Sequence, residues 1–531
     1  MFASLMPAGR SFPAPRTSRL VAAAFVVVLV LATYAGSLGN PFVYDDIIVI
    51  GTNALVFDNP DLTSFLHGAV DSGRELAGHL RPLPMLSLVL NYELGGMAPW
   101  AFRLVNLVLH LLCGGMLLLV LRRLVLAFPW RKDHPLDPSR ANLVAGLATL
   151  LFLIHPVNSL SVLLVWKRTT LMVTIPYLLA VHGYCLLRGI GGPPPAGRGR
   201  RIGCIVLVYL GYLLALGAKE NAVTLPAVLL LLELWSRPAA PPPDRRARLS
   251  LALLHAPLWL AVALWLTVLF PHDIAGNVSA DWSSYLLTQP KAIWLYLGML
   301  VHPGLLAADY DLRLVQDLGG DPLAILAGAG LLLLVVVALG RSRKAPLAGL
   351  ACCWLLITIS PTSSFVPCTL LVDEDRTYLP FALLWALIGL AGASFVIRRR
   401  ALALAVSLLV VGGLVFATVA RGAIWSDPLW VWLDALEKYP GARNARLALC
   451  TTLSQADGQA VEAVAACRAF LVESPQNPMA LSSLALALVK LGRTEEAEVE
   501  VARGLAHAPQ SPELCRIAGH LAWFGDQPAR A

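Results

Sequence analysis

Two adjacent carboxylates, Asp45 and Asp46, follow the first long apolar run of the chain, within the stretch Asn-Pro-Phe-Val-Tyr-Asp-Asp. Like charges at neighbouring positions repel each other, which favours proton uptake by one of them. The pair is therefore a candidate general base at a membrane surface. The alternative is an ordinary acidic loop on the side of the membrane that carries few cations.

Cationic side chains in the other connectors that are predicted to lie on the same side of the membrane as Asp45 and Asp46 are candidates for holding a phosphate. Polar groups at the ends of membrane helices are often functional. We assign this role to Arg81, Lys167, Arg168, Lys219 and Arg376. A second set of polar residues is expected to line a substrate cavity. It comprises His155, Glu220, Asp309, Asp311, Asp375 and Tyr378.

Several of these residues also have a purely structural interpretation. Lys219 and Glu220 are neighbours and could form a local ion pair. His155 precedes a proline and is typical of a helix terminus. Lys167 and Arg168 could be interfacial side chains whose charged ends reach water.

The sequence predicts no metal site, because it has neither a Cys-x-x-Cys nor a His-x-x-His cluster. Asp309 and Asp311 flank Tyr310 and offer oxygen ligands. Two carboxylates alone do not define a cation site, so the use of a divalent metal stays open.

The composition is that of a polytopic membrane protein. Of 531 residues, 57% are hydrophobic and only 14% are charged, and a soluble domain rarely combines this length with so few charges. The net charge of +8 does not indicate nucleic-acid binding. The basic residues lie in short connectors, where they set membrane topology.

Apolar runs near the length of a membrane span recur along the chain. Spans are predicted near 20–38, 103–122, 142–160, 170–188, 202–217, 221–236, 250–270, 322–340, 345–360, 378–397 and 401–420. Basic and acidic connectors alternate, which places the N-terminus in the cytoplasm and the acidic connectors outside. Both flanks of 285–302 look external, so this segment is predicted to be a re-entrant helix. We expect a bacterial inner membrane with its site in the periplasm, or a lumenal site in a eukaryotic endoplasmic reticulum.

The composition changes after residue 421, where charges return and apolar residues become periodic. Pro440, Pro475 and Pro509 recur at 35 and 34 residues, the period of tetratricopeptide helix pairs. We therefore predict an all-α protein with a cytoplasmic tail (1–19), a membrane domain (20–420) and an outer repeat domain (421–531). Cys450 and Cys467 could meet across a helical hairpin in an oxidising compartment, although the spacing does not require it.

The order of several segments resembles the TPR-bearing, multi-span O-mannosyltransferases of the GT-C glycosyltransferase fold. The stretches that carry the resemblance are NPFVYDD, RPLPMLSLVLNYELGG, FLIHPVNSLSVLLVWKRTTLM, AKENAVTLPAVLLLLELW, YLGMLVHPGLLAADYDL and DEDRTYLP. No one of them is specific alone, but their order and spacing together indicate the family.

The resemblance implies a polyprenyl-phosphate sugar, mannose above all, as the donor and a protein Ser or Thr hydroxyl as the acceptor. It also implies that Asp45 or Asp46 is the base of an inverting transfer and that the repeats hold a polypeptide. Two other functions remain as alternatives. One is a membrane-anchored scaffold without catalysis, and the other is a transporter of the lipid-linked sugar, which the lack of an evident inverted repeat disfavours.

Overall fold

A computed structural model describes residues 16–51, 81–128, 136–236, 245–264, 267, 281–365, 367–368, 370–398 and 400–525. The first fifteen residues of the predicted tail, residues 52–80 and the end of the span predicted near 250–270, apart from residue 267, lie outside these ranges. The described chain is helical and separates into two compact units. The first unit runs to Gly304 and resumes over Leu314–Ala423, and the second comprises Leu305–Arg313 and the chain from Ile424 onward.

The first unit is built from membrane-type helices joined by short turns. In chain order they are α1 (Arg16–Tyr34), α2 (Pro82–Gly95), α3 (Pro99–Ala127), α4 (Pro138–Ile154), α5 (Arg168–Arg188), α6 (Arg198–Leu216), α7 (Leu225–Ser236), α8 (Arg245–Leu264), α9 (Trp282–Val301), α10 (Pro322–Arg341), α11 (Pro346–Ser360), α12 (Ala382–Arg398) and α13 (Arg400–Ile424). Each of the eleven predicted spans coincides with one of these helices. α9 coincides with the segment predicted to be re-entrant, and this assignment stays a prediction.

The protein is a multi-pass membrane protein. Seven described helical segments are long and apolar enough to cross a bilayer, and the bent pair formed by α4 and Pro156–Leu163 makes an eighth. Leu249–Leu264 in α8 and Ala382–Val396 in α12 are apolar but shorter. The prediction of eleven spans counted these shorter helices and α7 as crossings, whereas length and composition alone support seven or eight.

The break between α4 and Pro156–Leu163 follows directly from the sequence. α4 starts where the Asp137 side chain accepts hydrogen bonds from the amides of Ser139 and Arg140, a standard helix cap. It ends at His155, because proline at 156 cannot continue the hydrogen-bond ladder. The chain then turns by 62°. This bend brings the segment before α5 into the interior of the helix bundle.

Helix α3 packs against both α4 and α5 at the centre, with α6 along α5 and α12 along α4. Two glycines permit the closest approaches. A Cβ at Gly211 would lie 2.7 Å from the carbonyl oxygen of Pro176, and one at Gly389 would lie 2.6 Å from that of Val144. Small residues at such crossings let membrane helices make extensive van der Waals contact.

The second unit contains the tetratricopeptide repeats. Its helices are α14 (Pro428–Lys438), α15 (Arg443–Gln455), α16 (Ala460–Glu473), α17 (Pro478–Lys490), α18 (Thr494–His507) and α19 (Pro512–Gly525). The periodic prolines Pro440, Pro475 and Pro509 lie in the turns that separate helix pairs. Ala485 in α17 and Ala497 in α18 are completely buried, as expected of small residues where two helices pack together.

The segment Leu305–Arg313 folds with the repeats, although the sequence assigned it to the membrane domain. The carboxylate of Asp309 accepts a 2.9 Å hydrogen bond from the amide of Ala445 in the first turn of α15. Lys438 donates to the carbonyl of Leu306 at 2.8 Å. Asp309 was expected in a substrate cavity, and in the structure it acts as a cap for a repeat helix.

Cys450 and Cys467 form a disulfide that joins α15 to α16. The sequence permitted this pairing without requiring it, because only the hairpin geometry brings the two cysteines together. Disulfides persist in oxidising compartments. This bond is therefore consistent with the prediction that the repeats lie outside the cytoplasm.

Asp309→Ala is expected to destabilise the second unit. Removing a capping carboxylate costs about 1 kcal/mol, and Asp309 is only 7% exposed. Denaturant unfolding of the full-length protein, followed by hydrogen exchange of the amides in α15, measures the effect. Asp311→Ala is the control, since Asp311 is exposed and 3.8 Å from the exposed Arg313. Equal stability of the two variants would refute the cap.

Candidate active site

A buried lysine lies at the centre of three carboxylates in the first unit. Lys167 Nζ is 2.6 Å from Asp373 Oδ2, 3.5 Å from Asp45 Oδ2 and 3.8 Å from Asp375 Oδ1. The lysine side chain is 8% exposed, whereas that of Asp45 is 31% exposed. The cluster therefore combines a buried cation with one carboxylate, that of Asp45, which is more exposed than the other two.

A second lysine extends the cluster. Lys219 Nζ lies 2.6 Å from Asp375 Oδ2 and 2.9 Å from the hydroxyl of Thr170. That hydroxyl donates to the same carboxylate oxygen at 2.6 Å. An ammonium group has three N–H donors, and Lys219 uses two of them within the described part of the chain.

The charges of the cluster shift one another's pKa. Burial works to lower the pKa of Lys167, but Asp373, Asp375 and Asp45 hold this pKa well above its ordinary value. Burial also works to raise the pKa of Asp375, but the two ammonium groups hold it well below its ordinary value. Both groups are therefore charged at neutral pH.

The pKa of Asp373 is shifted in the opposite direction from that of Asp375. Burial and the neighbouring charge of Asp375 raise the pKa of Asp373 more than Lys167 lowers it. When two carboxylates share one cation, the second is the easier to protonate. Asp373 thus takes up a proton more readily than Asp375.

Four separate turns supply the cluster. Asp45 follows α1, Lys167 directly precedes α5, and Lys219 follows α6. Asp373 precedes the 3₁₀ turn Glu374–Thr377, and its amide donates to the hydroxyl of Tyr296 on α9 at 3.0 Å. The bundle therefore brings together residues up to about 330 positions apart on the outer side predicted from charge.

Asp46 lies beside Asp45 but has a different environment. It is completely buried, and its two oxygens accept 2.9 Å hydrogen bonds from the amides of Val165 and Trp166. These amides immediately precede Lys167. Asp46 therefore fixes the turn that presents Lys167, while its neighbour Asp45 faces the lysine ammonium itself.

Burial raises the pKa of Asp46 to about 6, against the two backbone hydrogen bonds and the charge of Arg103, which lower it. Arg103 is itself buried and donates to the carbonyls of Leu163, Asn40 and Pro41. These bonds join the loop that carries the two carboxylates to the turn that carries Lys167.

Arg81 and Glu220 form an ion pair at the edge of this region. Arg81 Nη2 is 2.8 Å from Glu220 Oε1, with side-chain exposures of 10% and 23%. The guanidinium also lies over the ring of Trp166, 5.6 Å from its centre. Arg81, expected at a donor phosphate, and Glu220, expected in a cavity, are thus partners, and Trp166 directly precedes Lys167 in the chain.

Arg168 is enclosed in the bundle and is 1% exposed. Its guanidinium donates to Asn106, Asn91 and Ser87 side chains and to the carbonyls of Phe102 and Ser87. These five bonds match the five N–H groups of a guanidinium, so none remains for a phosphate. The sequence expected such a contact, and the structure gives Arg168 a role in holding α2, α3 and α5 together.

Three other expected site residues are bonded within the bundle. The His155 ring accepts from the amide of Val157 at 3.1 Å, as expected of a helix terminus. The Tyr378 hydroxyl is 2.6 Å from a ring nitrogen of His110. Arg376 donates to the carbonyls of Leu370 and Leu371. Asp309 and Asp311 belong to the second unit.

Thr170 and Asp373 are members of the cluster that the sequence did not assign to the site. The acidic run Asp-Glu-Asp at 373–375 was a usable signal for Asp373, whereas nothing in the sequence distinguishes Thr170 from its neighbours.

Within the described ranges, no group of three or more His, Cys, Asp or Glu side chains is arranged to hold a metal ion.

The second unit matches a known repeat family, since a tetratricopeptide-repeat profile matches residues 454–516. Curated relatives of the chain are named as protein O-mannosyl-transferases. Drosophila melanogaster Tmtc1 is 33% identical over 204 residues, 37% of this chain and 21% of the relative. Drosophila Tmtc2 is 37% identical over 30% of this chain and 16% of the relative. Mouse TMTC4 is 31% identical over 36% and 27%.

These matches confirm the resemblance found from the sequence motifs. They cover only 16% to 27% of each of these relatives, because the relatives are several times longer than the matched region. No solved structure matches the chain.

Asp46→Asn is expected to change how stability depends on pH. Native Asp46 binds its proton more tightly than the unfolded chain does, so its contribution is greatest below about pH 4 and is lost as the pH rises through about 6. The difference in unfolding free energy between wild type and variant should therefore shift by about 3 kcal/mol in favour of the variant. Paired denaturant titrations from pH 4 to 7.5 measure this shift. A constant difference would contradict the buried, proton-binding environment of Asp46.

Proposed function

We propose that the protein is a membrane glycosyltransferase that moves mannose from a polyprenyl-phosphate donor to a hydroxyl of a protein acceptor. The observation that carries this proposal is the cluster of Lys167, Lys219, Asp45, Asp373 and Asp375 at the predicted outer side of the bundle. The named function of the relatives supports the reaction class. A scaffold would need neither a buried lysine pair nor an accessible carboxylate beside it.

Asp45 is the proposed general base. It is the accessible member of the acidic pair, whereas both oxygens of Asp46 are occupied by backbone amides. In the proposed inverting step, the acceptor O–H proton passes to the Asp45 carboxylate as the oxygen attacks the anomeric carbon. The bond from this carbon to the phosphate oxygen breaks, and the lipid phosphate leaves with the electron pair.

The leaving phosphate needs a cation, and Lys167 and Lys219 are the proposed partners. Both lysines are already paired with carboxylates, so the phosphate would either accept from the third N–H donor of Lys219 or replace one of these contacts. The Asp373–Lys167 contact is the one that the phosphate would replace most easily, because burial and the charge of Asp375 raise the pKa of Asp373. Proton uptake by Asp373 would offset the negative charge that the donor brings.

The rest of the molecule fits this substrate pair. A donor with a long polyprenyl chain must be handled within a membrane, which several of the apolar helices can span. Tetratricopeptide repeats commonly bind polypeptide segments on their extended surfaces, so the second unit is the proposed acceptor-binding module. The Cys450–Cys467 disulfide supports an oxidising, non-cytoplasmic location for this module.

Asp45→Asn is expected to reduce kcat for mannose transfer by roughly 10²–10⁴-fold, the usual effect of losing a general base. Asp46→Asn should reduce transfer less, because it leaves the base in place and loosens only the turn before Lys167. Purified protein in nanodiscs, supplied with labelled polyprenyl-phosphate mannose and a Ser/Thr-rich peptide, gives both rates.

Asp317→Asn is the matched control, since Asp317 is an exposed carboxylate in the same unit. The control should transfer at the wild-type rate. Normal transfer by Asp45→Asn, in protein that unfolds at the wild-type denaturant concentration, would end the assignment of Asp45. Absence of transfer by the wild type over a panel of donors and acceptors would favour the scaffold.

A further inference from the structure

The last membrane helix, α13, has an unusual distribution of contacts. Most of its surface is open, as at Leu409 and Phe416, which are 76% and 75% exposed. In the described part of its outer half, burial is confined to Thr418, Arg421 and Gly422. This helix is therefore held chiefly at its outer end, two residues before the second unit begins.

Each contact at this end reaches a segment that carries a residue of the site region. The Thr418 hydroxyl donates to the carbonyl of Ile154 at 2.7 Å, directly before His155. The side chain of Asn40, five residues before Asp45, donates to the carbonyl of Gly422 at 2.8 Å. Arg421 Nη2 lies 2.6 Å from Glu374 Oε1.

The Arg421–Glu374 pair is the most informative of these contacts. Glu374 lies between Asp373 and Asp375, the two carboxylates on either side of Lys167. The side chains of Arg421 and Glu374 are 6% and 1% exposed. Because two buried charges are costly unless paired, the position of the 373–377 turn depends on where α13 places Arg421.

We propose that Arg421 is a positioning residue that sets Asp373 and Asp375 around Lys167 through Glu374, and that it thereby couples the chain leading into the repeats to the catalytic cluster. The inference rests on the proposed function for its catalytic consequence. Coupling of this kind needs contiguous contacts between the two regions. Here the contacts run from α13 through one ion pair to the turn that carries two cluster carboxylates.

The test uses a double variant, because changing one partner alone leaves a buried charge without its counter-ion. Arg421→Met with Glu374→Gln removes both charges. The matched control is Arg188→Met with Glu233→Gln, which removes another Arg–Glu pair of the first unit at 2.7 Å. Arg188 is the last residue of α5, which Lys167 precedes, and Glu233 lies in the last turn of α7, which follows Lys219.

The double variant at 421 and 374 should lower kcat for mannose transfer about tenfold, a typical size for such coupling, with little change in KM for the acceptor peptide. The control pair should keep the wild-type kcat. Arg421→Lys keeps the charge and should retain most of the activity. If the double variant keeps the wild-type kcat, or if kcat falls equally in the control, the positioning role is overturned.

Hydrogen exchange tests the same proposal without any assay of transfer. The amides of 373–378 should exchange faster in the Arg421/Glu374 variant and at the wild-type rate in the control. Unchanged exchange at these amides overturns the proposal even if the enzyme is active. Faster exchange in a protein that transfers no sugar would support the positioning role while the proposed function itself fails.

Discussion

The site depends on one constraint, which is that the ammonium group of Lys167 must be held inside the bundle among Asp45, Asp373 and Asp375. A buried cation is tolerated only when carboxylates surround it, and the carboxylates are tolerated only because of the cation. Asp46 fixes the backbone on the N-terminal side of Lys167, while α5 begins on the other side. The bend after α4 is what brings this turn into the interior.

The division of labour between Asp45 and Asp46 illustrates how environment separates identical side chains. Asp46 is buried against two amides and near Arg103, so it serves the fold of the loop. Asp45 is partly exposed beside Lys167, so it is the member of the pair that solvent can reach.

The sequence was sufficient to predict the helical fold, the positions of the apolar helices and the repeat unit, because apolar run length and proline spacing are local signals. It also placed Asp45, Lys167, Lys219 and Asp375 in one site, through their shared side of the membrane and the family resemblance.

The sequence did not predict the roles of residues whose surroundings are set by tertiary contacts. Arg168 and Arg81 are both cations in the sequence. In the structure, every N–H of Arg168 is bonded within the bundle, whereas Arg81 lies at the edge of the site beside Trp166. Asp309 was grouped with the site, although its carboxylate caps α15 in the other unit. No local pattern distinguishes these outcomes.

The proposed mechanism requires the donor to react at the lysine–carboxylate cluster. The most direct measurement is an experimental structure of the protein in lipid with a non-hydrolysable polyprenyl-phosphonate mannose analogue. The proposed mechanism predicts that the phosphonate lies within hydrogen-bond distance of Lys167 or Lys219. It also predicts that Asp45 faces the anomeric carbon from the side opposite to the phosphonate. A donor bound with its phosphonate away from both lysines, or with Asp45 remote from the sugar, would contradict it.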